Sequence, residues 1–366
     1  MKNTELIRLR LQQQSIASAL FRTPGEIVSW LGAVQAQDYP GGLWAVGLRL
    51  PGAVEADVER ALAAREIVRT WPMRGTLHFV AAADVRWMLE LMTPKIVAAN
   101  AGRLKRQMGL DEETFVRSKD LFIRALEGGK QLTRNAMYAV LEAGGIATEA
   151  QRGLHILGRL AQDGLLCFGP RAGKQPTFAL LAEWVPKAKS KKRADALAEI
   201  ARRYFNGHGP ATVQDFVWWS GLTATDAAAG LEMVKDELTA ETSGGQTYWL
   251  SAERFSPARN TVTNATHFLP VYDEYTVGYK DRSAVLDPQF AAAAGNGIFS
   301  APLVVNGRIA GIWKRTLKKD AVVITPTLFV TLSQTEKRAV ETAAQRYGQF
   351  LGASVILSSD LNQGRR

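Results

Sequence analysis

The stretch that decides the fold is residues 133–181, which read TRNAMYAVLEAGGIATEAQRGLHILGRLAQDGLLCFGPRAGKQPTFALL. Thr133 is a good helix cap, and the paired glycines Gly144 and Gly145 are typical of a helix end. Together with the residues just before it, the stretch predicts three helices and two strands: a helix at 115–126, one from Thr133, one from Thr148, and strands at 165–168 and 177–181. Three helices followed by a hairpin with a basic tip are the order of a winged helix, a variant of the helix-turn-helix.

The same order recurs after a basic linker at 186–193, which reads PKAKSKKR. It predicts a helix at 194–205, helices that begin at Thr212 and Thr223, and a hairpin that turns at 244–245. The caps are evenly spaced, since 79 residues separate Thr133 from Thr212 and 75 separate Thr148 from Thr223. Near-constant spacing of equivalent caps indicates a duplicated module.

The N-terminal segment predicts a third, more distorted copy. Ile27, Trp30, Leu31 and Val34 follow the spacing of one helix face. A second helix is expected at 54–64, and strands at 67–73 and 76–80 form a candidate wing around the turn at 74–75.

The last third of the chain changes character and predicts strands with a single helix. The Asn306-Gly307 pair between β-prone runs is a strong hairpin signal, and Ser333 with Glu336 forms a capping box. Further strands are expected at 266–272, 275–280, 321–325, 329–332 and 353–357. The whole pattern predicts an α+β fold with four domains: winged-helix-like modules at 1–110, 111–186 and 187–252, and a small β-barrel with one helix at 253–366.

Composition excludes several classes of protein. The chain has 366 residues, 46% hydrophobic and 22% charged, which is ordinary for a folded protein. No apolar run reaches the roughly 18–20 residues of a membrane-spanning helix, and no secretory signal opens the sequence, so no membrane partner is expected. The single cysteine, Cys167, fits a reducing compartment, and we expect a cytoplasmic protein. A net charge of +10 favours a nucleic-acid partner, although a merely basic enzyme is the plain alternative.

Motifs for several chemistries are absent from the sequence. It has no Walker A loop, no GxSxG elbow and no GxGxxG fingerprint, so a nucleotide cofactor is not expected. The four histidines are far apart, and no HxxxH or CxxC pair is present, so no metal site and no other cofactor are expected.

The tripeptide Gln35-Ala36-Gln37 follows the first amphipathic helix. Residues two apart share a face in an extended chain but point about 200° apart on a helix. The two amides can therefore converge only if the helix ends near Gln35. Taken alone, the tripeptide carries little information, and two solvated glutamines are its simpler interpretation.

A wider set of motifs makes that tripeptide specific. In chain order it comprises Gln35-x-Gln37, RTWPMRGTLH at 69–78, THFLP at 266–270 and YDEY at 272–275. The set resembles the AlkZ-type (YcaQ-like) family of bacterial DNA glycosylases, in its Gln-x-Gln branch, over nearly the whole chain. The resemblance implies three tandem winged helices and a β-barrel in a C-shape. It also implies excision of alkylated purines, cationic at N7 or N3, and in some members the unhooking of interstrand crosslinks.

The resemblance also implies roles for individual residues. Gln35 and Gln37 inherit the role of the catalytic pair, and His267 matches a barrel segment that faces the active site. A histidine satisfied within its own strand is the alternative for His267. Ala36 departs from the bulky hydrophobe usual at the middle position, which leaves room in the pocket and puts the substrate spectrum in doubt.

The chemistry follows from the leaving group. A cationic purine needs no protonation, so the enzyme must place water and stabilise an oxocarbenium-like sugar. Each amide can accept from water and donate, but neither titrates. Asp38 could serve as a base, although a cap or a solvated side chain is the simpler reading. Of the carboxylates Asp273 and Glu274, at most one is expected to point inward, because strand neighbours face opposite ways.

The expected partner is double-stranded DNA, bound by a monomer. Arg69 and Arg74 near the first wing and Arg171 and Lys174 at the tip of the second suit phosphate contacts, which set affinity without reading sequence. Trp218-Trp219 is interpreted as core rather than as a stacking platform. The favoured function is a monofunctional DNA glycosylase. The alternative is a non-catalytic winged-helix DNA-binding protein or transcriptional regulator, which has no use for two convergent amides.

Overall fold

The computed structural model describes residues 1–18, 20–252 and 265–358. Its helices are α1 Asn3–Gln13, α2 Pro24–Leu31, α3 Tyr39–Gly47, α4 Glu55–Ala63, α5 Val85–Met108, α6 Glu112–Leu126, α7 Arg134–Ala143, α8 Arg152–Gln162, α9 Leu181–Trp184, α10 Arg193–His208, α11 Val213–Ser220, α12 Ala224–Val234, α13 Glu274–Val277 and α14 Gln334–Leu351. Its strands are β1 Val34–Gln35, β2 Ile67–Met73, β3 Thr76–Ala81, β4 Leu132–Thr133, β5 Leu166–Ala172, β6 Gln175–Leu180, β7 Leu238–Ser243, β8 Gln246–Ser251, β9 Thr266–Phe268, β10 Pro302–Val305, β11 Arg308–Leu317, β12 Ala321–Leu328 and β13 Ser354–Leu357.

The fold is α+β and divides into two compact units. One unit comprises residues 1–58 together with 198–366, and the other comprises residues 59–197. No helix in the described ranges combines the length and the apolar character that crossing a bilayer requires.

The unit at 59–197 contains the helices and hairpin predicted around Thr133. The Thr133 hydroxyl accepts the backbone N–H of Ala136 and so caps α7. The hairpin β5–β6 is completed by the short strand β4, in the order β4-β6-β5. Fully buried side chains such as Phe122, Met137 and Leu157 form the core between α6, α7 and α8.

The third predicted helix of this unit begins four residues later than expected. The Thr148 hydroxyl donates to the Glu142 carboxylate, and so it does not cap a helix. Ala150 and Gln151 have φ values of +50° and +68°, which turn the chain before α8 begins. Thr148 therefore correctly predicts that a helix follows, but it does not mark the residue at which the helix begins.

The candidate wing near the N-terminus is also present in this unit. Strands β2 and β3 pair antiparallel and turn at Arg74 and Gly75, which have φ values of +52° and +72°. A 24-residue helix, α5, follows this hairpin.

The unit that contains residues 198–366 carries the repeated helices and hairpin. Thr212 and Asp215 form a capping box at α11, and Thr223 caps α12. Strands β7 and β8 pair across a turn at Gly244 and Gly245, as predicted.

The C-terminal sheet has five strands in the order β13-β12-β11-β10-β9 and is a curled half-barrel. Its pairs are antiparallel except for β12 with β13, which are parallel. Helix α14 begins at the predicted capping box and packs on this sheet, where Tyr347 meets the edges of Trp44 and Trp313. The predicted strands with one helix are therefore present in this part of the chain.

Three details of the strand prediction are wrong. The segment 275–280 begins in the short helix α13, whose first turn is capped by the Asp273 carboxylate. The first predicted strand stops at Phe268 instead of 272, because after a last bond from the Leu269 N–H to the Pro302 carbonyl the chain turns, with the Asp273 N–H bonded to the Pro270 carbonyl. The segment 329–332 is not a strand, because after the bond from Phe329 N–H to Ala310 the chain leaves the sheet for the cap at Ser333.

Cys167 lies fully buried in β5. Burial away from water raises the pKa of its thiol far above the usual range. The thiol therefore stays protonated under ordinary conditions.

Candidate active site

Both glutamines of the Gln-x-Gln motif lie outside helices. Helix α2 ends at Leu31, and Gly32 then adopts a φ of +77°, so the expected continuation of the helix to Val34 is wrong. Gln35 belongs to the short strand β1, and α3 begins only at Tyr39. The condition under which the two amides can share a face is therefore met.

Burial ends within this segment, between Ala36 and Gln37. Gln35 is 9% exposed, Ala36 is completely buried and Gln37 is exposed. Ala36 packs into the interior, and Gln37 is accessible to a substrate. The segment thus has one anchored glutamine and one that faces solvent.

A buried carboxylate holds the backbone of this segment. The Gln35 N–H donates to Glu274 Oε1 at 3.0 Å. The other oxygen, Oε2, accepts the indole N–H of Trp219 at 2.9 Å and lies 3.2 Å from Nε2 of His208. All three side chains are inaccessible to solvent, so the hydrogen bonds are shielded from exchange with water.

The neighbouring carboxylate, Asp273, makes a separate buried ion pair. Its two oxygens accept from the Arg49 guanidinium at 2.8 and 2.9 Å, and neither side chain is exposed. The same guanidinium donates to both oxygens of Gln14 and to the Ala45 carbonyl. The expectation that at most one of the adjacent acids points inward is wrong, because they begin a helix rather than lie on a strand.

His267 lies on β9, where burial and two arginines lower its pKa to about 4. Desolvation is the larger cause, followed by the positive charges of Arg346 and Arg49. The ring is neutral near pH 7 and cannot serve there as a cationic acid. Its Nε2 is shielded from solvent and has no hydrogen-bond partner within the described part of the chain.

The tryptophan pair divides between core and surface. Trp219 is fully buried, whereas Trp218 is 41% exposed and donates its indole N–H to the Val277 carbonyl. The interpretation of both as core residues holds for Trp219 alone.

A cavity of about 360 Å³ borders the glutamine segment at Asp38. Its walls come from α3, the segment after β9, the loop before β10, and β11: Asp38, Gly41, Trp44, Pro270, Val271, Phe299, Ser300, Ala301, Ile312, Trp313, Lys314 and Arg315. Asp38 is exposed at the N-cap position of α3 and makes no side-chain cap bond. Gly41 is required here, since a Cβ would come within 2.5 Å of the Asp38 carboxylate and 3.3 Å of Pro270.

Two residues of this cavity carry no motif that sequence reasoning could detect. Phe299 is 68% exposed and contacts the edge of Tyr272, with ring centroids 6.3 Å apart. Lys314 is exposed on β11. From the sequence, the lysines closest to the glutamines are Lys2 and Lys95, whereas folding brings Lys314 to a cavity that Asp38 also lines.

The predicted phosphate-binding residues lie on the two hairpins of the unit at 59–197. The Arg69 guanidinium lies 4.8 Å from the centroid of Phe168, so the two hairpins pack together. Arg74 Nη2 lies 3.2 Å from Nε2 of the buried His78, and Arg69 and Arg74 are both half-buried. The tip of the second hairpin is more accessible, since Arg171 and Lys174 are exposed and Arg171 donates to the Lys174 carbonyl.

No candidate metal centre accompanies these residues. In the ranges that the structure describes, no group of three His, Cys, Asp or Glu side chains could hold a metal ion.

Comparison with known proteins defines the class to which this arrangement belongs. The family model for AlkZ-like DNA glycosylases matches residues 28–350. An interstrand DNA cross-link repair glycosylase of Streptomyces sahachiroi is 27% identical, over 94% of this chain and 95% of the relative. The solved structure of the Streptomyces sahachiroi DNA glycosylase AlkZ has the same fold, with a TM-score of 0.79 and 24% identity over 97% of this chain and 99% of that one.

The fold and these matches define a DNA glycosylase. The chain belongs to the AlkZ-like DNA glycosylase family, since the family model covers most of its length. The resemblance seen in the sequence motifs is thereby confirmed.

Proposed function

We propose that this DNA glycosylase hydrolyses the N-glycosidic bond of alkylated purines in duplex DNA, with Gln35 and Gln37 as its catalytic residues. The observation that carries the proposal is the anchored, non-helical glutamine segment beside an open cavity. Asp38 follows Gln37 directly and lines that cavity, so the segment and the space for a substrate are contiguous.

The reaction needs little acid catalysis, because the leaving base does not have to be protonated. Alkylation at N7 or N3 gives the purine a positive charge, so the pair of electrons from the breaking C1′–N9 bond neutralises the departing base. Water attacks C1′ and releases a proton to the solvent, while the two amides orient it and direct carbonyl dipoles at the developing positive charge on the sugar. Because neither amide titrates, the contribution is positional.

The cavity has the size of a small-molecule site and presents both aromatic and charged side chains. Its volume of about 360 Å³ falls within the roughly 300–1,000 Å³ of small-molecule pockets. Trp44 and Trp313 form walls, and each donates its indole N–H to a backbone carbonyl, so both nearly buried rings are held in place. Phe299 adds an exposed aromatic face at the same cavity.

We further propose that interstrand crosslinks are among the substrates, in keeping with the name of the Streptomyces relative. Arg69, Arg74, Arg171 and Lys174 are proposed as phosphate contacts, and His267 as a supporting residue, whose buried Nε2 has no hydrogen-bond partner among the described residues. We also propose that the protein acts as a monomer in the cytoplasm. The proposed domain organisation has winged-helix modules at 1–110, 111–186 and 187–252 and a barrel domain at 253–366.

The test is release of the free base. Duplex DNA methylated at guanine N7 should yield free 7-methylguanine and an intact strand that carries an abasic site, cut only after alkali or an abasic endonuclease. Absence of free base over a range of alkylated duplexes would reject the proposed substrate class and favour a non-catalytic DNA-binding role.

Borohydride trapping tests the monofunctional mechanism separately. Schiff-base formation requires an amine nucleophile, and Lys314 is the lysine that lines the cavity. We expect no covalent protein–DNA adduct from the parent enzyme. An adduct that disappears in Lys314→Met would overturn the monofunctional mechanism and assign the nucleophile.

A further inference from the structure

The buried Glu274 carboxylate connects the Gln35 backbone to the side chains of Trp219 and His208. One carboxylate oxygen accepts from the Gln35 backbone, and the other faces Trp219 and His208. Glu274 and Gln35 are 239 positions apart in the chain. The bond therefore fixes the glutamine segment to a distant part of the same unit.

The two groups on the far side of Glu274 are themselves immobilised. Tyr204 stacks on the His208 ring with centroids 4.8 Å apart, and Trp219 lies 5.1 Å from Tyr204. The backbone at Gly278 approaches so closely that a Cβ there would come within 2.8 Å of His208. A carboxylate held by a packed aromatic cluster is a rigid anchor for whatever it binds.

A carboxylate side chain is the group that fits this position. It accepts hydrogen bonds at both oxygens, whereas an amide of the same shape presents N–H donors on one side. Gln35 N–H and Trp219 N–H are obligate donors on opposite oxygens. A glutamine at position 274 would fill the same volume and meet at least one of these donors with another donor.

From these contacts we infer that Glu274 is a positioning residue: it fixes the backbone of Gln35 and, through it, the direction of the catalytic amides, without touching the substrate. The inference rests on the proposed roles of Gln35 and Gln37. It makes Glu274, Trp219 and His208 part of the mechanism, although none of them lines the cavity.

The experiment measures single-turnover base release from N7-methylated duplex, with enzyme in excess, alongside the Kd for that duplex. Glu274→Gln should slow release on the order of 10²-fold, the cost of misplacing a catalytic group by about 1 Å. The Kd should change only a few-fold, because phosphate contacts elsewhere set affinity. Asp215→Asn is the matched control: Asp215 is a buried carboxylate of the same unit that pairs with Arg10 and caps α11, and its loss should leave the release rate unchanged.

A double variant separates positioning from general loss of structure. If Glu274 acts through Gln35, then Gln35→Ala with Glu274→Gln should be no slower than Gln35→Ala alone. If the double variant's rate loss equals the product of the two single losses, the inference is overturned. Base release by Glu274→Gln at the parent rate would overturn it as well. Trp219→Phe removes one donor and retains an aromatic ring, although a smaller one, so it should show a smaller, equally non-additive loss even if Glu274→Gln does not fold.

The outcomes distinguish the two proposals. If the parent enzyme releases base and Glu274→Gln does so at the same rate, the positioning role is rejected and the proposed function stands. A parent enzyme that releases no base from any alkylated duplex rejects both.

Discussion

At the scale of single residues, the proposed chemistry depends on groups that hold water without taking its proton. Gln35 is anchored and Gln37 is exposed, so the two amides occupy different environments. The neutral His267 ring adds a buried nitrogen that can accept a hydrogen bond. The only carboxylate that borders the cavity within the described ranges, Asp38, is exposed.

Substitution of the glutamines tests this arrangement. Gln37→Ala should slow base release by about 10²–10³-fold, as removal of one electrostatic donor does, while DNA affinity changes a few-fold. Gln35→Ala should behave similarly, and Gln37→Asp should keep measurable activity because it supplies a real base. If both alanine variants release 7-methylguanine at the parent rate, these residues are not the catalytic site. A loss of base release in His267→Ala would then place the site on the C-terminal sheet.

His267 should make folding stability depend on pH. Its pKa is about 4 in the folded chain and near 6.5 when unfolded, so below pH 6.5 the unfolded state binds the proton first. Stability should therefore fall as the pH drops from about 6.5 to 4, by up to about 3 kcal/mol for this group.

Denaturant titrations at pH 7 and pH 4.5 measure this effect. His267→Asn should flatten the acid decline, whereas His155→Gln should change it less, because His155 is only partly buried. Parallel acid curves for the parent and His267→Asn would show that other groups dominate.

At the scale of elements, the Arg49–Asp273 pair joins the end of α3 to the start of α13. Asp273→Asn keeps an oxygen for the Tyr275 N–H but leaves Arg49 as a buried charge without its counter-ion. Loss of one partner from a buried pair typically costs about 3–5 kcal/mol. Chemical denaturation should show a loss of that size.

An exposed pair provides the control. Glu237 bonds Arg202 at 2.7 Å, with both side chains more than a third exposed. Glu237→Gln should cost less than about 1 kcal/mol, since solvent screens such pairs. Equal losses in the two variants would contradict a special role for the buried pair.

Elements whose signals lie within a few residues could be predicted from sequence. The caps at Thr133, Thr212, Thr223 and Ser333 each accept the expected backbone N–H in the structure. The four-residue helix α13 could not be predicted, because it is too short to show a helical period. Its neighbouring acids were therefore assigned strand geometry, which reversed the conclusion about their burial.

The candidate site divides in the same way. Gln35 and Gln37 are identified by motifs in chain order, although the preceding helix ends at Leu31 and not, as its spacing predicts, at Val34. Glu274 could not be assigned to Gln35 from sequence, because the contact spans most of the chain. Phe299 and Lys314 likewise reach the cavity only through the pairing and loops of the C-terminal sheet.

At the scale of the whole molecule, a net charge of +10 predicts DNA binding with little sequence preference. Log affinity should fall linearly with log salt, measured by filter binding from 50 to 200 mM, the range over which such binding typically weakens by about 10³–10⁵-fold for six to ten phosphate contacts. Lys174→Ala should reduce the slope by about 1 if Lys174 meets a phosphate, and Lys235→Ala, at a lysine paired with Glu232, should not. A flat response, or one tight consensus site, would favour a regulator.

The sealed thiol of Cys167 makes the molecule convenient for labelling. It is the only cysteine in the chain, and its burial in β5 keeps it protonated and out of reach of thiol reagents. A reporter cysteine can therefore be introduced at any accessible position without first removing the native one. A fluorophore attached through Lys174→Cys, at the hairpin tip, would then report from that site alone when DNA arrives.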